Sequence, residues 1–543
     1  MSVIAVHLET TGPGKFTDPL ASYLERCGHV LVRGLTGTAG PDVDVVLVWS
    51  EYAASEQLED QLLTAVAGGT RVLLLGPTLA AWRDAHRLLE VAGVIPGAVV
   101  PAHPTRVRAG NAGQVAIRAA GDLELVDAWP LLDKVADDTD VLLTANVRLV
   151  AHPVATARAG VGTFTLGSRA EVLADPAFQL LVHRVVRHLT GAQDARPSRL
   201  GILGYGAIGH EHNKAIQSVP GLELAAICDT NPERITAARE LAPEVAAHAD
   251  AEALIADDGV DLVIVSTWPS THAEWALAAL RAGKHVVVEK PFSLTTAEAD
   301  QMVAAAAEGD RTLAVYQNRR WDSDYLALKR IVRSGAIGEV FHYESFIGSY
   351  GHPCNFWHSD EGVSGGAIYD WGSHYLDWML DLVPGEVEWV SATTQKRVWH
   401  DVSNADHSVV RVRFDNGVDA EFTHSDIAAA MKPKWYVLGT EGAAVGTWRT
   451  EKVVARNAIG TLEEDLLAVS DSPARLNVHA ADGSVTEVAI PPAPAHAFHR
   501  ELAEHLLSGA PMSVTPQGSR RNISVMEAAT ESARSGGRPV MPR

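Results

Sequence analysis

Short apolar runs alternate with stretches of helical period along most of the chain, and the alternation restarts once. Before residue 190, apolar runs at about 2–8, 43–49 and 71–75 have strand length, while 17–27 and 54–67 repeat apolar positions every three or four residues. Strand and helix in alternation predict an α/β layer structure with a parallel sheet. Residues 191–198, GAQDARPS, break both periods and read as a linker. The series then begins again with runs at 200–203, 222–229, 262–266 and 285–288, separated by helical patterns from Ile208, Pro232 and Ser270. Beyond about residue 335 the runs lengthen and alternate with period two, at 339–347, 388–397, 407–414 and 417–424, with Asp415-Asn416-Gly417 as a hairpin turn. A mostly antiparallel sheet is expected there, followed by helices at 497–508 and 517–535. The boundaries read as an α/β domain over 1–192, a linker over 193–198, a doubly wound domain over 199–318 and an α+β domain over 319–543.

A chain of 543 residues suits several cores. Its 45 basic against 67 acidic side chains give a formal charge of −22, which argues against nucleic acid and anionic membranes as partners. No apolar run reaches membrane-spanning length, and the N-terminus reads as a first strand, not a signal peptide, so a cytoplasmic protein is expected. Cys27, Cys228 and Cys354 lie far apart, against a disulfide framework or a structural zinc site.

The run at 200–203 leads directly into Gly204-Tyr205-Gly206-Ala207-Ile208-Gly209 and a helix. These glycines permit a tight turn and close approach to a pyrophosphate, and the helix N-terminus offers donors to it. Asp229 ends the next strand, at the spacing from which a carboxylate accepts the adenosine ribose hydroxyls. Its charge disfavours a 2′-phosphate, and Thr230 and Asn231 offer no guanidinium, so NAD is expected over NADP. A helix-cap role for Asp229 is the competing reading. Glu289-Lys290-Pro291 ends the fourth strand, on the side where such sheets bind ligands. In the run from Gly365 to Asp377, Asp370, His374 and Asp377 share one helical face. His352, Cys354 and His358 have ligand-type spacing, but no acidic shell accompanies them and no metal is expected.

With these motifs, residues 199–543 resemble the Gfo/Idh/MocA oxidoreductases, and Gln317-Asn-Arg-Arg-Trp-Asp322 with the Asp-x-Gly-Ser-His-x-x-Asp run is most similar to the inositol and polyol dehydrogenase branch. The resemblance implies a Rossmann domain, an open antiparallel substrate domain, and hydride transfer between a nicotinamide and a secondary alcohol of a sugar, glycoside or inositol. Lys290, Asp370 and His374 match the catalytic positions. His374 is the expected base, Lys290 the stabiliser of the alkoxide, and Asp370 the holder of the imidazole and of the cations. Thr267, Trp268, Pro269, His272 and Glu289 are expected along the cofactor with Tyr205 and Ile208. Arg320, Trp321 and Asp377 are expected at the substrate, with Arg319 beside them; a structural salt-bridge cluster is the competing reading for Arg319, Arg320 and Trp321. Ser364 and Trp371 depart from the family pattern. A homodimer or homotetramer is expected. A redox-neutral glycoside cleavage through a keto sugar is the alternative, and a non-catalytic sugar or dinucleotide sensor is a third reading.

Residues 1–192 are similar, through Gly76-Pro-Thr-Leu-Ala-Ala-Trp82, Ala102-His103-Pro104 and the run from Gly160 to Glu171, to ThuA-like domains of flavodoxin-like architecture. This likeness implies a carbohydrate-binding or carbohydrate-processing role. His7, Glu9, His103, His152, Ser168, Arg169 and Glu171 are its polar candidates, with ordinary loop and cap roles as the competing reading. Cys27 falls inside the first helix, so amidotransferase chemistry is not expected.

Overall fold

The computed structural model describes residues 5–11, 18–32, 43–83, 85–110, 123–147, 150–354, 356–449, 452–456, 462–466, 473–490 and 492–543. The chain divides into two compact units, Met1–Pro197 with Arg500–Met512, and Ser198–His499 with Ser513–Arg543. No helix among the described residues is long and apolar enough to cross a membrane.

The first unit is built on a nine-stranded sheet. Val30–Val32, Ala5–Thr11, Val45–Ser50, Arg71–Leu75 and Val161–Phe164 pair in parallel, in that order. Val45–Ser50 is buried at every position, which is why it reads as an unbroken apolar run. The rest of the sheet departs from the parallel expectation. Val150–Arg158, Asp140–Val147, Val94–Ala109 and Leu123–Val135 continue it as antiparallel ribbons. Pro96, Pro101, Pro104 and Pro130 obscure these strands in the sequence, because proline cannot donate to a ladder. The pairing of Val94–Ala109 with Leu123–Val135 shifts register at Ile95/Pro96, Pro96/Val99 and Val100/His103, irregularities that accommodate them.

Helix Pro176–Thr190 starts on the Asp175 side chain, which accepts from Ala177 N and Phe178 N, and stops at the left-handed Gly191. It carries Arg184, whose side chain is fully buried and meets Asp194 Oδ1 at 2.7 Å and the Glu504 carboxylate. A buried guanidinium requires such partners. Residues 500–512, grouped by sequence with the last domain, accordingly pack with the first unit.

The second unit opens with a six-stranded, wholly parallel sheet in the order Ala246–His248, Leu222–Cys228, Ser198–Leu203, Leu262–Val265, His285–Val288, Leu313–Val315. This is the doubly wound order, which places a ligand crevice beyond the carboxyl ends of the central strands. An eight-stranded sheet follows, antiparallel except where Val340–Gly348 runs parallel to Asp419–Ser425. His407–Phe414 and Asp419–Ser425 form the expected hairpin. Helix Ala367–Leu382 packs on this sheet, and Pro516–Arg534 packs on Ala367–Leu382, Val387–Gln395 and Thr296–Glu308. That last helix ties the two halves of the unit: Arg520 pairs with Asp300, and Asn522 Nδ2 donates to Ser373 O.

Candidate active site

The glycine loop has the shape a pyrophosphate requires. Gly204 has φ +89°, and a Cβ there would lie 2.6 Å from Ser266 O, so only glycine fits. Gly206 faces open space at the start of helix Ala207–Ser218. Ile208, in the first turn of that helix, is exposed. Tyr205 is corrected: its ring is buried, its hydroxyl accepts from Asn213 Nδ2 at 2.8 Å, and only its backbone belongs to the loop.

Asp229 stands at the carboxyl end of Leu222–Cys228 and accepts from Tyr205 N and Asn231 N, each at 2.7 Å. The cap of helix Pro232–Leu241 is Asn231, whose side chain accepts from Glu233 N. Asp229 therefore links the glycine loop to the second strand without capping that helix. Arg234 Nη1 lies 3.3 Å from Asp229 Oδ2. The expectation that no guanidinium stands here is overturned, because the first turn of the following helix brings one back.

After Leu262–Val265, Trp268 is 56 % exposed and free to flank a ring. Thr267 Oγ1 bonds Thr271 Oγ1 at 2.8 Å, and Pro269 is buried. His272 is not along the cofactor side: its buried ring bonds Pro291 O at 2.8 Å and Thr267 O at 3.1 Å, bracing two strand-end loops against each other. Burial holds this imidazole below its ordinary pKa, against the pull of those carbonyls.

Lys290 Nζ meets Asp370 Oδ1 at 2.9 Å and Asp370 O at 3.3 Å. Burial would raise the Asp370 carboxyl, but the Lys290 charge and that of His358 outweigh it, and the group sits below its ordinary pKa. Asp370 lies in the first turn of Ala367–Leu382, after Gly365 and Gly366, both at positive φ. Ser364 replaces a glycine without disturbing this start, since its hydroxyl accepts from Gly366 N at 3.0 Å. One turn on, His374 is buried and its Nδ1 has no hydrogen-bond partner. Asp370 thus secures Lys290 and does not hold the imidazole. Burial, then the charges of Lys290 and Arg319, push His374 well below its ordinary pKa and keep it neutral. Trp371 packs beneath Arg319, whose guanidinium lies 5.1 Å from the ring centroid.

Asp377 lies on the same helix but serves the interior. It is buried and grips Arg320 in a two-pronged bond, one prong at 2.8 Å, while Asp381 takes Arg320 and Lys329. For Arg320 this pairing matches the competing reading of a structural salt-bridge cluster, and it gives Asp377 an interior partner that spacing alone could not show. Trp321 packs edge-on against Phe498.

Spacing missed two groups. His358, stacked on Trp357 at 3.6 Å between centroids, and His424, near Asp426, both act electrostatically on Asp370. For His424 the only sequence signal was residue type, and His358 was singled out only for its spacing to His352 and Cys354. His352, with which His358 was grouped as a metal candidate, instead bonds Asp401 at 2.8 Å, and Cys354 lies 3.5 Å from Ser359 Oγ. Among the described residues no group of three metal-type ligands converges.

The polar candidates of the first unit make local contacts. His103 Nδ1 bonds Pro101 O, Ser168 Oγ donates to Ala128 O, and Arg169 pairs with Glu171. His152 is half-buried on Val150–Arg158. The side chains of His7 and Glu9 lie outside the described residues.

Known proteins match this geometry in the second unit. The oxidoreductase family with an NAD-binding Rossmann fold matches residues 198–317, and the GFO/IDH/MocA C-terminal domain matches 325–445. The oxidoreductase YdgJ of Escherichia coli is 37% identical over 186 residues, 34% of this chain, and the alignment spans about half, 53%, of that relative. The scyllo-inositol 2-dehydrogenase (NADP(+)) IolW of Bacillus subtilis is 28% identical over 64% of this chain and 96% of its own length. The crystal structure of an NAD-binding protein from Listeria innocua superimposes with a TM-score of 0.53 at 28% identity, covering 64% of this chain and 97% of the other. Over residues 198–317 and 325–445, this chain is similar to the Gfo/Idh/MocA oxidoreductases.

Proposed function

We propose that the second unit is an NAD-dependent dehydrogenase that oxidises a secondary alcohol of a cyclic polyol or sugar. The observation that carries this reading is the pair Lys290–Asp370 at 2.9 Å with the buried His374 one helical turn on from Asp370, at the carboxyl edge of a doubly wound sheet. The open face of Gly206, the N-terminus of Ala207–Ser218, the carboxylate of Asp229 and the exposed Trp268 fit a dinucleotide. Bound there, NAD supplies the acceptor for a hydride from carbon.

The protein's own residues handle the proton. Oxidation of CHOH to C=O releases one proton from oxygen as hydride leaves carbon, and a neutral imidazole receives it. Lys290 stabilises the negative charge that grows on the oxygen, and Asp370 fixes the ammonium where it is needed. The likeness to a scyllo-inositol dehydrogenase supports a ring polyol as substrate. For the first unit, the resemblance to ThuA-like domains implies a carbohydrate-binding or carbohydrate-processing role, while the local contacts of its polar candidates favour ordinary loop and cap roles.

The test is reduced-nicotinamide absorbance while the full chain, with NAD, meets inositols, free sugars and glycosides, with products followed in parallel. One reduced cofactor per ketone formed is expected. Cleaved glycoside without accumulation of reduced cofactor would replace net oxidation with a redox-neutral cycle, and no reaction with any member would sink both.

A further inference from the structure

Behind the glycine loop lies a buried chain of polar groups that the proposed chemistry does not use. Helix Ala207–Ser218 begins at the loop and, three residues past Gly209, presents His212 to the sheet. The ring has no exposure, and its Nε2 lies 2.9 Å from Glu289 Oε1. Glu289 is itself buried, at the carboxyl end of His285–Val288, and its Oε2 accepts the backbone N–H of Lys290 at 3.1 Å. On its other edge, His212 Nδ1 shares a hydrogen with His499 Nε2 at 2.9 Å. Tyr316 closes the assembly, its ring 4.4 Å from that of His212 and 5.4 Å from that of His499, with Phe498 edge-on behind it.

A carboxylate only accepts hydrogen bonds, so Nε2 of His212 carries the hydrogen that Glu289 receives. Glu289 is then held at both oxygens, one by the first Rossmann helix and one by the backbone of the lysine that follows it. The helix that faces the pyrophosphate thereby also sets the strand end that aims Lys290. Packing alone does not require this arrangement, since an apolar side chain would fill the same volume. A carboxylate buried at this point demands a donor, and His212 is the side chain that supplies one.

We propose that His212, backed by His499, is a positioning residue: it fixes the Glu289 carboxylate and, through it, the backbone of Lys290 in the geometry that turnover requires. The inference rests on the dehydrogenase reading for its kinetic consequence and on the hydrogen-bond chain alone for its structural one.

The experiment compares His212→Leu and His212→Gln in the full chain, because a glutamine Nε2 can reach the site of the imidazole Nε2. For His212→Leu, kcat should fall about 10- to 100-fold, the range for a hydrogen bond to a charged group, with substrate KM changed less than about twofold; the melting temperature falls as well, because the buried Glu289 carboxylate loses its donor, and His212→Gln should restore it. His212→Gln should also recover most of the loss in kcat. In parallel, hydrogen exchange at the Lys290 amide should quicken by about the same factor in His212→Leu and be restored in His212→Gln. Wild-type kcat in His212→Leu would overturn the proposal, and so would equal losses of activity and melting temperature in both variants. If the wild type oxidises no polyol, the dehydrogenase reading fails. Hydrogen exchange then decides the positioning role, which is overturned if the Lys290 amide exchanges at the wild-type rate in His212→Leu.

Discussion

Lys290 and Asp370 in the second unit, and Arg184 and Glu504 in the first, are both cation–carboxylate pairs drawn from distant parts of the chain, yet their surroundings differ. The Lys290 and Asp370 side chains keep 23 % and 29 % of their surface exposed, whereas Arg184 and Glu504 keep 0 % and 3 %. A pair with one open side can exchange part of its interaction for a third group, which is what binding and proton transfer need. A pair closed on all sides cannot do so without unfolding its neighbourhood. Glu504 shows the strain of closure: burial pushes its carboxyl up to about 7 even with Arg184 beside it. Asp370, by contrast, moves below its ordinary value.

Breaking each pair should therefore give opposite phenotypes. Lys290→Met is expected to lower turnover about 10²- to 10⁴-fold, the contribution of a positioned acid or base, with the denaturation midpoint unchanged. Reduced-nicotinamide absorbance and urea unfolding on the same preparation check both halves. Arg184→Met should lower the stability of the first unit by about 3–5 kcal/mol, since it leaves the Glu504 carboxylate buried without its cation. Denaturant unfolding followed in that unit reads this loss.

Smaller effects sharpen the contrast. Asp229→Ala should shift the NAD to NADP preference about tenfold or more toward NADP, because a carboxylate that repels a 2′-phosphate is gone and Arg234 remains. Steady-state kinetics with both cofactors measures it, and an unchanged ratio would deny Asp229 its ribose role. With His374 as base, its lowered pKa means that kcat/KM stays flat as pH falls through about 6.5, the ordinary imidazole value, and declines only at lower pH. A decline centred at or above that value would show that another group is the base. In the first unit, a carboxyl raised above its unfolded value costs stability as pH rises from about 4.5 toward about 7. Glu504→Gln should remove that slope. His29, held down to about 4 by burial, acts oppositely in wild type and variant alike, so the difference between their urea midpoints isolates Glu504.

Much of the second unit was legible because its signals are local. A glycine loop after a strand, an acid at the end of the next, and three polar groups on one helical face are set by backbone geometry over a few residues. What escaped the sequence depends on contacts between distant segments. A salt-bridge cluster around Arg320 was an open alternative in the sequence, and only the fold names Asp377 as its partner. Arg234 returns to Asp229 across a helix start, and His358, in the short 3-10 turn Trp357–Ser359, acts electrostatically on Asp370. The antiparallel ribbons of the first unit were hidden because their prolines suppress the usual strand signal while bulges accommodate them. The family resemblance implied that Asp370 holds both the imidazole and the cations; the carboxylate holds the Lys290 ammonium, and His374 Nδ1 has no hydrogen-bond partner.

The packing of Arg500–Met512 with the first unit bears on how the protein is made. As the chain emerges from the ribosome, the strands and helices before Pro197 are complete long before Glu504 exists, and until then Arg184 has only Asp194 to meet it. The unit that is synthesised first is thus finished late, and a nascent chain halted before residue 500 carries a helix whose buried cation has lost one of its two carboxylates.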